Sequence, residues 1–197
     1  MKISKIEAAK YQLIESIRLF FEERDPVSIH TLTGAALDVL NDHITDKGLV
    51  WDHNLFFHPE SIYIKDEHRK EFQDHIRKNK NFFKHADRDI KAGIHEIEFD
   101  PGVNEAYIFE AIRALAVVAP GFRSCETDFF TYWLLANHPH WLKDGNQNIV
   151  ALIRKYGLTT KKECLKAINT IRNGVPDYME FIKIASDFTG HPESNKT

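Results

Sequence analysis

Apolar side chains recur along most of the chain at the three- and four-residue spacing that is typical of amphipathic helices. The first such segment spans residues 4–23, and its apolar stripe consists of Ile6, Leu13, Ile17 and Phe20. Ser4 is followed three residues later by Glu7, which predicts a capping box at the start of this helix. Asp25 and Pro26 end the pattern, because proline disfavours helical geometry in the residue before it.

The second helix is predicted from about Val27 to Ile44, with Gly48 as its C-terminal stop. Its predicted inward positions are Ile29, Leu32, Ala36, Leu37 and Leu40. Because the link to the first helix is only a few residues long, we expect the two helices to pack as an antiparallel hairpin.

The middle of the chain has a less regular pattern. Residues 49–59 are rich in aromatic and histidine side chains but have no clear period, which predicts a loop that lies against the core. Residues 65–87 are predicted to form a third helix. Residues 60–64 and 95–99 read as short extended pieces, and the second of them, HEIEF, alternates as a strand does. We therefore expect a short irregular or two-stranded excursion near residues 60–99.

The rest of the chain returns to helical periodicity and is divided by glycine and proline. The predicted helices span residues 103–119, 125–136, 146–156, 161–173 and 176–188. The whole pattern predicts an all-α fold, a helical bundle that forms a single domain over residues 1–190. Residues 191–197 are polar and are expected to form a flexible tail.

The composition is that of a globular protein, since 43% of the 197 residues are hydrophobic and 28% are charged. The apolar stretches, such as residues 114–119, are far shorter than the roughly 20 residues that a membrane-spanning helix needs. The N-terminus carries charges every few residues and lacks the apolar core of a secretory signal. We therefore expect a cytoplasmic protein without a membrane partner. Its two cysteines are too few for a disulfide framework.

Basic side chains are concentrated in residues 77–91, although the formal net charge of the chain is -3. The negative net charge argues against a surface that is built throughout for nucleic acid, but it allows a local basic patch. Within the basic run, Arg77, Lys84 and Arg88 are predicted to bind an anion. If the run is helical, one of its faces carries Arg77, Asn81, His85 and Arg88.

The run Lys80-Asn81-Phe82-Phe83-Lys84-His85, which follows two amphipathic helices, resembles the helical HEPN superfamily. Members of that superfamily are helical bundles, often dimers, and many are metal-independent RNases of toxin and antiviral systems. Their motif is an arginine, usually followed by a polar residue, with a histidine a few residues further on. Asn81 and His85 match the last two positions, and Lys80 stands in place of the arginine. The resemblance implies that Lys80, Asn81 and His85 are catalytic, that RNA or a nucleotide is the partner of a homodimer, and that no cofactor is needed.

This chemistry is consistent with the residue types. Metal-independent RNA cleavage needs a group that transfers a proton near neutral pH, and histidine is the side chain suited to that task. It also needs cations to stabilise the charge that develops on the phosphate, a role open to the lysines and arginines of the same run.

Two other functions remain open from the sequence. A metal-dependent hydrolase could use His85, Asp87 and Asp89 if they lie in a loop, since alternate residues point apart on a helix. Its ligands could instead come from distant parts of a helical bundle, for instance His30, Asp42, His43 and His85. The third hypothesis is a non-catalytic interaction protein.

Overall fold

The computed structural model describes residues 1–49, 78–84, 91, 93–139 and 147–173. Its helices are α1 (Lys5–Phe21), α2 (Pro26–Lys47), α3 (Val103–Val118), α4 (Cys125–Asn137), α5 (Gln147–Lys155) and α6 (Lys161–Arg172). Residues 78–84 are also helical and are called the 78–84 segment. The chain divides into two compact units, unit 1 (residues 1–122) and unit 2 (residues 123–197).

Helix α1 begins at the predicted capping box. The Ser4 side chain accepts a hydrogen bond from the backbone N–H of Glu7 (3.1 Å), and the Glu7 carboxylate accepts one from the backbone N–H of Ser4 (2.9 Å). Both bonds satisfy N–H groups that have no partner within the helix, so the prediction is confirmed. Three members of the predicted apolar stripe are buried, namely Leu13, Ile17 and Phe20.

Helix α2 is also bounded by the residues that the sequence indicated. The Asp25 side chain accepts hydrogen bonds from the N–H groups of Val27 (3.4 Å) and Ser28 (2.8 Å) at the N-terminus. Pro26 is the first helical residue, a position where its missing N–H costs nothing. Gly48 has a φ of 58°, the left-handed conformation of a C-terminal cap, which confirms the predicted stop.

The core of unit 1 lies between α1, α2 and α3, which contact one another pairwise. The residues that α2 buries include Ile29, Ala36, Leu37 and Leu40, as predicted, whereas Leu32 is half-buried. Each fully buried aliphatic side chain of this kind stabilises the fold by roughly 1.5 to 3 kcal/mol. This packing fixes the face of α2 on which the candidate site is built.

Residues 94–100 have no regular secondary structure, so this part of the predicted excursion takes the irregular form and not the two-stranded one. Ile97 and Phe99 are half-buried, whereas His95, Glu96 and Glu98 are exposed. The alternation in HEIEF therefore reflects an irregular chain that turns every second side chain inward, and it does not reflect a hydrogen-bonded ladder. The pairing partner considered for it, residues 61–64, lies outside the described residues.

Unit 2 contains α4, which contacts both α5 and α6. Its core includes Phe129, Phe130, Trp133 and Leu134 of α4, Val150 and Ile153 of α5, and Ala167 and Ile168 of α6. Ser124 caps α4 and Thr160 caps α6, and each side chain accepts a hydrogen bond from the backbone N–H three residues on.

The predicted all-α class is confirmed, because the regular elements of the described residues are all helices. None of these helices is long and apolar enough to cross a membrane. The predicted loop over residues 49–59, the helix over residues 176–188 and the tail over residues 191–197 lie outside the part of the chain that the structure describes. The single domain over residues 1–190 stays a prediction.

Candidate anion-binding site

Two of the predicted site lysines converge on one carboxylate of α2. The Nζ atom of Lys80 lies 2.6 Å from Oδ1 of Asp38, and the Nζ atom of Lys84 lies 2.8 Å from Oδ2 of the same residue. Both lysine side chains are 23% exposed and the Asp38 side chain is 40% exposed, so the cluster lies at the edge of unit 1. The four-residue spacing of the lysines places them on one face of the 78–84 segment, which is why a single aspartate binds both.

Gly34 allows the Lys80 side chain to lie close against α2. A Cβ atom at this position would lie 3.5 Å from Cδ and Cγ of Lys80 and only 3.0 Å from the hydroxyl oxygen of Tyr107. Gly34 precedes Asp38 by one helical turn, so both residues lie on the same face of α2. The Lys80 stem therefore crosses the helix at its one glycine and places the ammonium group on Asp38.

An aromatic cluster anchors the 78–84 segment to the core. The Phe83 ring lies edge-on to the rings of His30 (5.6 Å between centroids) and Phe99 (5.2 Å). The His30 ring also packs against Phe99 (5.2 Å) and Tyr107 (4.8 Å). Aromatic pairs in such geometries add about 0.5 to 1.5 kcal/mol beyond the burial of their surface. Phe83 therefore fixes the position from which Lys80 and Lys84 reach Asp38.

His30 is fully buried and is oriented by a side chain of α3. Its Nδ1 atom lies 2.9 Å from Oδ1 of Asn104, and Nδ2 of Asn104 donates to the backbone carbonyl of Pro26 (3.0 Å). Because the Asn104 amide donates to that carbonyl, its oxygen is the acceptor toward His30, and Nδ1 of His30 is the donor in this bond. This arrangement ties the start of α2 to the start of α3.

The electrostatics of the cluster follow from its geometry. Burial by itself would raise the pKa of Asp38, but the hydrogen bonds from Lys80 and Lys84 outweigh it and hold that pKa below its ordinary value. The pKa of the Tyr107 hydroxyl is instead raised, both by burial and by the nearby Asp38 carboxylate. Tyr107 is therefore neutral, and Asp38 is ionised, at any physiological pH.

Acidification is expected to remove the stabilising contribution of Asp38. Its pKa is lower in the folded protein, so the contribution is complete above the pKa of the unfolded chain and disappears as the pH falls through the folded value. At neutral pH, Asp38→Asn should lower the free energy of unfolding, measured in urea, by about 1 kcal/mol, the range of partly exposed ion pairs. In acid the difference should vanish. A difference that is unchanged in acid, or an equal effect of the exposed control Asp46→Asn, would contradict this assignment.

The outward face of the 78–84 segment carries three residues of a different kind. Lys78, Asn81 and Phe82 lie at relative positions 0, 3 and 4 and therefore share one helical face. Lys78 is exposed, and Asn81 and Phe82 are half-buried. The face thus presents a cation, an amide and an aromatic ring beside the lysine pair.

The structure brings together some of the sequence-predicted site residues and not others. Lys80 and Lys84 meet at Asp38, and Asn81 lies on the neighbouring helical face. The predicted catalytic residue His85 and the predicted anion-binding residues Arg77 and Arg88 lie outside the described residues. Lys80 was predicted to replace the catalytic arginine, and the structure adds that its ammonium group is already bonded to a carboxylate.

Sequence reasoning missed Asp38, Gly34 and Asn104. Asp38 had no signal of its own, because a single aspartate on an amphipathic helix is usually solvated. Gly34 offered a weak signal, since glycine in the middle of a helix costs about 1 kcal/mol relative to alanine and often marks a close approach.

The metal-site hypothesis finds no support among the described residues, where no group of three histidine, cysteine, aspartate or glutamate side chains is placed to hold a metal ion. His30, one of its predicted ligands, is buried and bonded to Asn104. The other set that was considered, His85, Asp87 and Asp89, lies outside the residues that the structure describes.

The two cysteines are poor candidates for a nucleophile. Burial raises the pKa of Cys164 to about 12. Burial and the Glu126 carboxylate together raise the pKa of Cys125 to about 11. Both thiols are therefore protonated at neutral pH, and the reactive thiolate is scarce.

The chain matches no protein-family model, and no curated protein or solved structure is detectably similar to it.

Proposed function

We propose that this protein binds single-stranded RNA or a nucleotide at the surface formed by the 78–84 segment and Asp38. The observation that supports the proposal is the pair of lysines that one carboxylate holds in place. Lys78, Lys80 and Lys84 contribute three positive charges and Asp38 one negative charge, which leaves a net charge of about +2 at this surface (3 − 1). A phosphate group would meet ammonium groups that are already ordered, which lowers the entropic cost of binding.

The neighbouring residues suit a nucleic acid better than a simple anion. Single-stranded nucleic acids are bound by a basic surface that follows the phosphates and by aromatic rings on which bases stack. Lys78 provides a further cation, Phe82 a partly exposed ring, and Asn81 an amide that can bond to the edge of a base. The resemblance to the HEPN superfamily, which rests on Asn81 and His85, points to the same class of ligand.

Cleavage is the catalytic extension of this proposal. His85 would transfer the proton, and the lysines nearby would stabilise the charge on the reacting phosphate. The homodimer that the resemblance implies belongs to the same proposal.

The test is the equilibrium binding of a short fluorescently labelled single-stranded RNA, followed by anisotropy. We expect Lys78→Gln/Lys84→Gln to weaken binding about tenfold and to reduce the slope of log K against log salt by about 1.4, the value for two phosphate contacts on a single strand. The matched control, Lys2→Gln/Lys5→Gln, changes the net charge equally at exposed positions of the N-terminus and should leave the affinity unchanged.

Equal binding by the two double variants would refute this surface as the binding site. The same mixtures, run on a denaturing gel with and without EDTA, test the catalytic extension. Cleavage that survives EDTA and disappears in His85→Ala supports a metal-independent RNase. Cleavage that EDTA abolishes would support the metal-dependent alternative, and an intact RNA in every lane restricts the proposal to binding.

A further inference from the structure

Unit 2 contains a strongly basic stretch that the proposed RNA surface does not use. Residues 147–173 hold six basic side chains and one acidic side chain, a formal charge of +5 (6 − 1) in a chain whose net charge is -3. The basic residues are Arg154, Lys155, Lys161, Lys162, Lys166 and Arg172. So dense an excess of one sign in an acidic protein indicates a polyanionic partner.

Four of these six basic side chains form no ion pair with the part of the chain that the structure describes. Arg172 forms an ion pair with Glu126, and the Lys161 ammonium group lies 5.8 Å from the centre of the Trp133 ring. The other four side chains, Arg154, Lys155, Lys162 and Lys166, are exposed and form no ion pair with the described residues. They are therefore available to an external anion.

The basic stretch is folded as two helices joined by a tight and well-defined turn. The N–H of Gly157 donates to the carbonyl of Arg154 (3.0 Å), and the N–H of Leu158 donates to that of Ile153 (3.2 Å). These two bonds, with Gly157 at a φ of 70°, are the Schellman arrangement that ends a helix and reverses the chain. Leu158 is buried, which fixes the turn in the core of unit 2.

Further contacts tie the second of these helices to its surroundings. Nδ2 of Asn137, the last residue of α4, donates to the carbonyl of Thr159 (3.1 Å). The Thr160 side chain accepts from the N–H of Glu163 (3.3 Å) and so caps α6. Helices α5 and α6, which this turn joins, both contact α4.

Helix α6 has two chemically distinct faces. Cys164, Ala167 and Ile168 are fully buried. On the opposite side, Lys162, Lys166 and Asn169 are exposed at relative positions 0, 4 and 7 and form one stripe. The helix therefore presents two cations and an amide along about two turns, with no acidic residue in that stripe.

We infer that α6 is a DNA-reading helix, and that unit 2 binds double-stranded DNA by placing the Lys162–Lys166–Asn169 stripe in the major groove. The groove accepts one α-helix, and lysine and asparagine are side chains that bond to guanine and adenine edges there. Arg154 and Lys155, at the end of α5, add cations for the phosphates beside the groove. Duplex DNA fits better than single-stranded RNA because the stripe is a straight polar helix face without an aromatic ring for base stacking.

The test uses the full chain and a labelled mixed-sequence DNA duplex of roughly 20 base pairs, about two helical turns. Wild-type protein should bind the duplex at low salt. Lys162→Gln/Lys166→Gln should weaken binding about tenfold and reduce the slope of log K against log salt by about 1.8, the value for two phosphate contacts on a duplex. Glutamine is a good helix former, so α6 should persist, and an unchanged unfolding midpoint verifies this.

Two controls separate this inference from the proposed RNA site. Lys2→Gln/Lys5→Gln, which has the same net charge, and Lys78→Gln/Lys84→Gln should both keep the wild-type affinity for duplex DNA. Absence of duplex binding by the wild-type protein at low salt would overturn the inference, and so would equal binding by all three double variants. Loss of single-stranded RNA binding with unchanged duplex binding in Lys162→Gln/Lys166→Gln would show that this surface binds RNA instead of duplex DNA.

Discussion

Replacement of His30 by alanine should lower the free energy of unfolding by about 3 kcal/mol, the range of buried ring truncations. The ring is fully buried and is packed by Phe83, Phe99 and Tyr107. Its removal leaves a cavity at this junction, and it also deprives the Asn104 side-chain oxygen of its hydrogen-bond donor. Because Phe83 loses a neighbour, the 78–84 segment should lose part of its attachment to α2.

Urea unfolding followed by circular dichroism measures this effect. His43→Ala is the matched control, since His43 is a half-buried residue of the same helix, and we expect a loss within about 0.5 kcal/mol. His30→Phe separates the two causes, because it retains the volume of the ring but removes the hydrogen bond. We expect a smaller loss, about 1 to 2 kcal/mol, for this variant. Equal losses for His30→Ala and His43→Ala would contradict the anchoring role of His30.

The second large effect is expected in unit 2, where Arg172→Ala should lower the free energy of unfolding by about 2 to 3 kcal/mol. An Nη2 atom of Arg172 lies 2.5 Å from Oε1 of Glu126, and the Glu126 side chain is only 2% exposed. Removal of the arginine leaves a buried carboxylate without its cation, although the Cys125 thiol still donates to its second oxygen (3.3 Å). We expect a smaller loss of stability than for a fully buried ion pair, because the Arg172 side chain is 43% exposed.

The cause of that loss can be isolated with a second substitution. In Arg172→Ala/Glu126→Gln the buried carboxylate is replaced by a neutral amide of the same shape, so most of the stability should return. Arg154→Ala, an exposed arginine of α5 without an ion pair among the described residues, should change stability by less than about 0.5 kcal/mol. A double variant as unstable as Arg172→Ala would show that the arginine acts through packing and not through its charge.

The ion pair between Arg172 and Glu126 also helps to hold α6, the helix that we propose binds DNA, in place. Arg172 is the last residue of α6 and Glu126 lies in the first turn of α4, so the pair fixes the C-terminal end of the reading helix. The N-terminal end of α6 is fixed by Thr160 and by the bond from Asn137 to the turn. A helix held at both ends presents its exposed stripe to a groove in one orientation.

The parts of the fold that the sequence predicted depend on local chemistry. The capping box of Ser4 and Glu7 and the stop at Gly48 involve residues at most four apart, and their side-chain types are sufficient to place them. Helical periodicity placed the bounds of the described helices within about three residues for the same reason. For HEIEF the sequence left an irregular and a two-stranded form open, because alternation shows which side chains turn inward, whereas a strand also requires a hydrogen-bonded neighbour.

The candidate site could be predicted only in part. The basic run supplied Lys80, Lys84 and Asn81, but Asp38 lies 42 residues before Lys80 in the chain, and the pairing depends on how the 78–84 segment packs on α2. The bond between His30 and Asn104 joins residues 74 apart. A local sequence pattern cannot predict such long-range contacts, since each of these residues could equally be an ordinary polar residue of an amphipathic helix. Helices α5 and α6 of unit 2 were predicted from their periodicity, whereas the contact of each with α4 is a property of the fold.

Photochemical cross-linking can show whether RNA binds at the 78–84 segment, as we propose. The full chain is mixed with single-stranded RNA that contains 4-thiouridine, irradiated, digested and mapped by mass spectrometry. We expect cross-links within residues 78–84 that decrease in Lys78→Gln/Lys84→Gln and persist in Lys2→Gln/Lys5→Gln. Cross-links confined to residues 147–173, or RNA that binds without any cross-link in the 78–84 segment, would contradict the proposal.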